Sequence, residues 1–216
     1  MMRTRQMPCR ILRLFAALIA AASLAACTIF GEQPPTQFFV LTSIADRPGD
    51  APAPAPAPAA QEIAVGIAPV DFPAYLERRE IITRSSGNEL IVDRFHQWAS
   101  PLRADFERVL AADVGTLLPT RRAAVLPFRR AFPLDYEVRM TVDRFERLAD
   151  GTVVLEARWV VLEQVGERPI SIENAKISIP NVANDYPSVV AAMSRAVAEL
   201  SRRVDDDFRA APPPRQ

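Results

Sequence analysis

The stretch YEVRMTVDRFERLADGTVVLEARWVV, residues 136–161, decides the fold. Apolar and polar residues alternate on both sides of the central Asp150-Gly151, which is the period of a strand with one buried face. An Asp-Gly pair between two such runs is a strong signal for a tight β-hairpin. The stretch predicts two long antiparallel strands. Their inward-facing residues are Tyr136, Val138, Met140, Val142, Val153, Leu155, Ala157, Trp159 and Val161.

The sequence on either side of this hairpin supplies further strands. Short apolar or alternating runs occur at 38–41, 63–67, 81–84, 90–92 and 170–179. Residues 85–88, Ser-Ser-Gly-Asn, form a turn signal that joins the third and fourth of these runs into a second hairpin. In the last run the alternation is weaker and passes through Ile172, Ala175 and Ile177.

Two segments have the helical period instead. The first begins near Ser100-Pro101, stops before Pro119 and places Arg103, Asp105, Glu107 and Arg108 opposite its apolar stripe of Trp98, Leu102, Phe106, Val109, Leu110, Val114 and Leu117. The second has Asn184 or Asp185 as its N-cap and Pro187 in its first turn. Its stripe is Val190, Met193, Val197, Leu200 and Val204. We predict an α+β, two-layer domain: a mainly antiparallel or mixed β-sheet with the two amphipathic helices packed on one face.

The N-terminus has the pattern of a bacterial lipoprotein precursor. Four arginines are followed by the uncharged run 14–26, which has 13 residues, against the roughly 20 that cross a bilayer as a helix. The run ends in Leu24-Ala25-Ala26-Cys27, which resembles a lipobox. We therefore predict that residues 1–26 are a signal peptide cleaved between Ala26 and Cys27, and that Cys27 is lipidated, with palmitate among its acyl chains. The alternative is an ordinary signal peptide that happens to precede a cysteine.

The residue after the cysteine bears on the destination. Thr28 stands where an aspartate would retain a lipoprotein in the inner membrane under the sorting rule of enteric bacteria, so we expect the outer membrane, with the protein facing the periplasm. Cys9 leaves with the signal peptide and Cys27 is modified, so no disulfide is expected.

The mature chain divides into a tether, a domain and a tail. We expect residues 27–37 to be the lipidated tether, 38–209 the folded domain and 210–216 a disordered tail. Residues 51–60 are an alanine-proline loop with no apolar face, within the domain. Without the four arginines of the signal peptide, 22 basic residues face 26 acidic ones, a formal charge of −4. That balance argues against nucleic acid as a partner.

The sequence carries no recognisable catalytic or metal-binding motif, so no cofactor, no metal and no enzymatic activity are predicted. His96 is the only histidine, and we interpret it as a solvated or capping residue rather than a catalytic or metal-binding one. The acidic run 205–207 fits a solvated helix end. A hydrolase that uses two carboxylates is left open, because the fold alone brings such pairs together.

Several motifs occur in the order found in one family. They are Phe72-Pro-Ala-Tyr-Leu76, Ile81-Ile-Thr-Arg84, Gln97-Trp-Ala-Ser-Pro-Leu102, Val142-Asp-Arg-Phe145 and the Asp150-Gly151 hairpin that ends in Trp159. This order resembles the ABC-type transport auxiliary lipoproteins that serve mammalian-cell-entry (MCE) systems. The resemblance extends from the lipobox through the second helix.

The resemblance implies a docking subunit of an intermembrane lipid-transport system. Such a subunit works with an MCE-domain protein and inner-membrane ABC and permease components to move phospholipid or other hydrophobic molecules across the periplasm. It also implies a homo-oligomer, in the form of a ring. The alternatives are a lipoprotein that stabilises another outer-membrane complex and, more distantly, a periplasmic hydrolase.

Four apolar residues are candidates for a partner interface. Phe72, Tyr75 and Leu76 lie in a proline-containing loop, where aromatic residues serve either an interface or the core. Trp98 stands at the start of the first helix, where the core is the stronger interpretation.

The lipobox gives the first testable prediction. Cys27→Ser should abolish lipidation and leave the protein soluble or uncleaved, because no thiol remains to accept the lipid. Metabolic labelling with a clickable fatty acid measures the modification directly. A native protein that takes up no label would contradict the lipoprotein interpretation.

Overall fold

The computed structural model describes residues 34–47, 63–117, 121–125, 134–163, 167–180 and 182–211, with only the backbone described for 121–125. The described residues from 36 onward belong to one compact unit. The predicted signal peptide, Cys27, the alanine-proline loop and most of the tether and tail lie outside the described residues.

The predicted α+β architecture is confirmed: one mixed, open β-sheet is accompanied by two helices. The strands are β1 (Gln37–Phe39), β2 (Ile63–Ile67), β3 (Glu80–Arg84), β4 (Leu90–Trp98), β5 (Arg121–Val125), β6 (Tyr136–Arg147), β7 (Val153–Glu163) and β8 (Arg168–Ile179). The helices are α1 (Leu102–Leu117) and α2 (Tyr186–Ala210). Short 3₁₀ turns occur at Ile44–Asp46 and Ala74–Leu76.

The predicted hairpin is the antiparallel pair β6–β7, and β8 adds to β7 in the same sense. Gly151 in its turn has a φ of 84°, a left-handed conformation that explains the glycine. A bulge between Val142 and Arg144 shifts the pairing by one residue. Beyond the bulge Phe145 takes the inward position, fully buried, so the simple alternation of the first half of β6 does not continue.

The other edge of β6 is shared by two strands. Both β2 and β3 run parallel to β6, β2 beside its start and β3 beside its end. β5 extends the sheet beyond β2, and β4 and then β1 extend it beyond β3. β4 is longer than predicted: it continues to Trp98, so α1 starts only at Leu102. β5 was not predicted.

Both helices cover the same face of the sheet, as predicted. Phe106 of α1 packs edge-to-face on Phe145, with ring centroids 5.8 Å apart. Asp185 caps α2 by accepting a hydrogen bond from the amide of Ser188 at 2.8 Å. That bond satisfies one of the free donors of the first turn.

The acidic run near the end of α2 is not a solvated face as predicted. Asp205 is buried and accepts from Arg209 Nε at 2.7 Å. Asp207 accepts from the indole nitrogen of Trp159 at 2.7 Å. Only Asp206 is exposed. The N–H of a buried tryptophan needs an acceptor. Asp207 provides this acceptor for Trp159, at a position where the apolar stripe of the helix predicts exposure to solvent.

Three carboxylates of α1 accept hydrogen bonds from the backbone of crossing segments. Asp105 accepts from the Leu41 amide at 2.6 Å and Asp113 from the Ile44 amide at 2.7 Å; in a third bond, Glu107 accepts from the Val70 amide at 2.8 Å. All three carboxylates are buried. The prediction that Asp105 and Glu107 face solvent was therefore wrong, because irregular segments with free amides lie across that side of the helix.

Asp113 titrates at an unusual pH. Burial raises its pKa from 3.8 to about 6, although the hydrogen bond from Ile44 and the charge of Arg47 oppose the rise. Between these two pH values the folded protein holds a proton that the unfolded chain has released. The free energy of unfolding therefore falls as the pH rises through this window.

Asp113→Asn should remove this pH dependence, since the amide oxygen can still accept from Ile44 but no longer titrates. Between pH 5 and pH 7.5 the wild type should lose about 1.4 kcal/mol of unfolding free energy through this group, and the variant should not. Urea unfolding at both pH values measures the difference, with Asp206→Asn as the exposed control. The same pH dependence in wild type and Asp113→Asn would contradict the assignment.

Candidate docking surface

The loop between β2 and β3 is held firmly at both ends. The backbone of Asp71 forms a bridge to Thr141 of β6 at one end. At the other end the carbonyl of Arg79 accepts from the amide of Trp98 at 2.7 Å. The loop also forms an ion pair between Glu77 and Arg103 at the start of α1. The loop is therefore held in one position on the surface.

The four interface candidates do not lie together on the surface. Leu76 and Trp98 are core residues with exposed fractions of 3% and 4%, so they offer a partner almost no area. Phe72 is half-buried, with its ring perpendicular to that of Phe106 at a centroid distance of 5.3 Å. Tyr75 is also half-buried. Leu76 and Trp98 are therefore no longer interface candidates. For Phe72 and Tyr75, a role in a partner interface stays a prediction.

Tyr75 lies beside a buried ionic cluster. Glu146 is fully buried and accepts from Arg84 Nε at 2.5 Å, while Arg144 Nε lies 3.5 Å from the same oxygen. Burial, followed by the negative charge of Glu146, raises the pKa of Tyr75 to about 12. The phenol is therefore neutral at physiological pH and packs against the ionic cluster.

Ion pairs continue from this cluster across the face of the sheet that the helices leave uncovered. Arg144 Nη1 lies 3.8 Å from Glu156 of β7, and Lys176 Nζ of β8 lies 3.0 Å from the same carboxylate. Further along, Arg158 forms two hydrogen bonds of 2.9 Å with Asp143. Opposite charges on neighbouring strands stabilise their pairing and keep this face polar.

Beside these ion pairs lies a groove of about 480 Å³. We call it the docking face and define it by Asp71, Arg139, Thr141, Arg158, Val160 and Ile172. Ile172 is 75% exposed. Its cross-strand neighbour is Val160, whose own partner on β6 is Arg139. An apolar centre within a charged surround is the usual composition of a protein interface.

Sequence reasoning missed both Glu146 and Ile172. The weak alternation predicted for this strand passes through both Ile172 and Ala175, but the two residues are three apart in the strand and so lie on opposite faces. That spacing was a readable signal. Glu146 follows the bulge in β6, which reverses the phase, and nothing in the local sequence marks it.

His96 is not a solvated or capping residue as predicted. Three extra residues of β4 bulge out between Val92 and Gln97. Within this bulge, His96 Nδ1 lies 2.9 Å from Asp93 Oδ2, and the imidazole stacks on Tyr186 with centroids 3.9 Å apart. Burial and the charge of Asp93 raise the pKa of Tyr186 to about 12. The histidine thus fastens β4 to the start of α2.

Among the described residues, no group of three or more potential ligands is placed to hold a metal ion. Within the same residues, no helix is both long and apolar enough to cross a membrane.

The structure is an α+β domain in which two helices cover one face of an open, mixed sheet. The chain belongs to the ABC-type transport auxiliary lipoprotein component family, which it matches over residues 48–205. No curated protein matches the chain significantly.

Two solved structures have a similar fold. One is an uncharacterized protein with 17% sequence identity and a TM-score of 0.66, and the match covers 81% of this chain and 99% of that one. The other, from Xanthomonas campestris, belongs to a family of unknown function and has 17% identity and a TM-score of 0.63, over 81% and 98% of the two chains. At this identity the likeness is one of fold.

The ionic cluster beneath Tyr75 gives a stability prediction. Arg84→Met should lower the free energy of unfolding by about 3 kcal/mol, because Glu146 then stays buried without its nearest cation. Adding Glu146→Met should recover much of this loss, since no buried charge remains. Chemical denaturation of both variants measures the difference.

The matched control for that measurement is Arg158→Met, which breaks an exposed pair and should cost about 0.5 kcal/mol or less. A double variant that is no more stable than Arg84→Met would show that Glu146 does not depend on the arginine.

Proposed function

We propose that this protein is an outer-membrane lipoprotein that docks an ABC-type MCE system at the outer membrane and so takes part in moving phospholipid or other hydrophobic molecules across the periplasm. The observation that carries the proposal is the family membership over residues 48–205. The lipobox at Cys27 and the residue Thr28 support the membrane assignment.

The tether sets where docking takes place. If residues 28–37 are the tether, they span at most roughly 35 Å when extended. Shortly after β1, the amide of Leu41 is hydrogen-bonded to Asp105 of helix α1. The domain would therefore stay close to the outer membrane, and a partner from the inner membrane would have to reach across the periplasm to it.

The docking face is the surface we assign to the MCE-domain partner. Its two arginines are already paired within the sheet, Arg158 with Asp143 and Arg139 with Glu137, so a partner would not have to neutralise a large net charge. Ile172 supplies an exposed apolar anchor of the kind that concentrates binding energy. Phe72 and Tyr75 lie on the adjoining loop and would contribute at the rim.

The same features favour binding over catalysis. The buried acids accept hydrogen bonds from backbone amides or arginines, as Asp105 and Glu146 do. His96 is held between Asp93 and Tyr186. Each of these groups has a structural partner that orients it within the domain, and we assign none of them a reaction.

Site-specific photo-crosslinking tests the proposal. A photoreactive phenylalanine derivative at position 172 should yield adducts with an MCE-domain protein in living cells, because this side chain lies at the centre of the docking face. The same amino acid at position 206, exposed on α2, is the control. Adducts that form at 206 but not at 172 would place the partner elsewhere.

A functional variant complements the crosslinking. Ile172→Glu should lose complementation of a deletion strain at normal protein level and normal membrane fractionation, whereas Asp206→Arg should complement fully. Full activity of Ile172→Glu would remove the docking face from the proposal.

A further inference from the structure

A second groove lies between the outer edge of β8 and helix α2. Its volume is about 410 Å³. We call it the basic groove, because its charged lining consists of Arg47, Lys176, Arg195, Arg202 and Arg203, with Glu199 as the one acid. The remaining lining comes from Ala198 and from residues 177–179 of β8.

The basic groove has a positive charge that its own residues do not balance. Lys176 is paired with Glu156 and Arg47 acts on the buried Asp113, but the three arginines that α2 contributes to the lining exceed its one acid, Glu199, by two charges, whereas the predicted mature chain sums to −4. Glu199 is shared between Arg202 at 3.7 Å and Arg203 at 3.5 Å. Arg195 is exposed and forms no ion pair with the side chains that the structure describes. An anionic ligand would therefore be attracted and held here.

The groove also runs along an open strand edge. β8 pairs with β7 on one side, and among the described residues no other strand pairs with it. Four consecutive residues, 176–179, line the groove, and none comes from β7. The groove therefore follows the edge of the sheet and not its face. An open edge offers unpaired N–H and C=O groups to an added strand.

A phosphate group or lipid headgroup would explain the cations but not the open edge. The apolar lining residues are Ile177 and Ala198, only 3% and 1% exposed, and the half-buried Ile179, so acyl chains would find little surface beside the cations. An extended peptide uses both features. Its backbone can continue the ladder of β8 while its carboxylates meet the arginines of α2.

We propose that the basic groove binds an extended acidic peptide segment of a partner protein, which adds as a strand to β8. The helix sets the spacing of the acids. Arg195 and Arg202 are seven residues apart, about 10 Å along α2, which lies between one and two repeats of the about 6.6 Å that separates side chains on one face of a strand. Acids on one face of an added strand are therefore within reach of both long arginine side chains. The segment therefore carries acids at alternate positions. This surface lies apart from the docking face and does not depend on its partner.

Fluorescence anisotropy with a defined probe tests the proposal. The probe is a labelled octapeptide of alternating glutamate and threonine, added to the mature lipoprotein in detergent. We expect saturable binding that weakens about tenfold in Arg195→Gln/Arg202→Gln, the loss of two charge-assisted contacts of about 0.7 kcal/mol each. Arg78→Gln/Arg94→Gln, which removes two exposed arginines elsewhere, should bind like wild type.

A second probe separates strand addition from simple charge attraction. The same octapeptide with methylated backbone nitrogens keeps its carboxylates and loses its ladder donors, so it should bind at least tenfold more weakly. Equal binding of both peptides would overturn the proposal. So would inorganic phosphate or phosphatidylglycerol vesicles binding through Arg195 and Arg202 while the peptide does not bind, or no binding of any probe.

Discussion

The hydrogen bonds from backbone amides to the buried carboxylates of α1 are the constraint on which the rest of the structure depends. Asp105 and Asp113 hold the segment that follows β1, and Glu107 holds the segment that follows β2. A buried carboxylate is costly unless donors surround it, and an irregular segment is costly unless its amides find acceptors. The amides of the crossing segments supply the donors that the carboxylates need, and the carboxylates supply the acceptors that the amides need. One helix therefore fixes two strands that are distant in sequence.

This arrangement decides which surfaces are left for binding. Both helices and the crossing segments lie on one face of the sheet, and the docking face forms on the opposite face, which the helices do not cover. Among the described strands none pairs with the outer edge of β8, and α2, which follows β8, lies over the face of the sheet. The basic groove forms between the two. A domain with two separate surfaces suits an adaptor that holds one component in reach of another.

Local signals predicted a large part of the fold. The Asp150-Gly151 hairpin, the apolar stripes of both helices and the Asp185 cap depend on neighbouring residues, so they are visible in the sequence. The bulges in β4 and β6 were not predictable in this way, because each is fixed by strands distant in sequence. Each bulge changes which residues face inward. This is why the interpretation of His96 was wrong and why Glu146 was missed.

The candidate site was harder to predict than the fold for the same reason. Asp105 and Asp205 look like solvent-facing acids in a helical pattern, and only their distant partners, the Leu41 amide and Arg209, show otherwise. Of the four interface candidates, Leu76 and Trp98 proved to be core residues. Ile172 was not among the interface candidates, because an apolar side chain in a strand normally points inward.

This lipoprotein is proposed to dock an ABC-type MCE system. Affinity isolation of the tagged, lipidated protein from gently solubilised envelopes, followed by mass spectrometry and native mass determination, tests it most directly. We expect an MCE-domain protein and its ABC and permease components to be recovered in fixed stoichiometry. Recovery of a different outer-membrane complex, with none of these components, would contradict it.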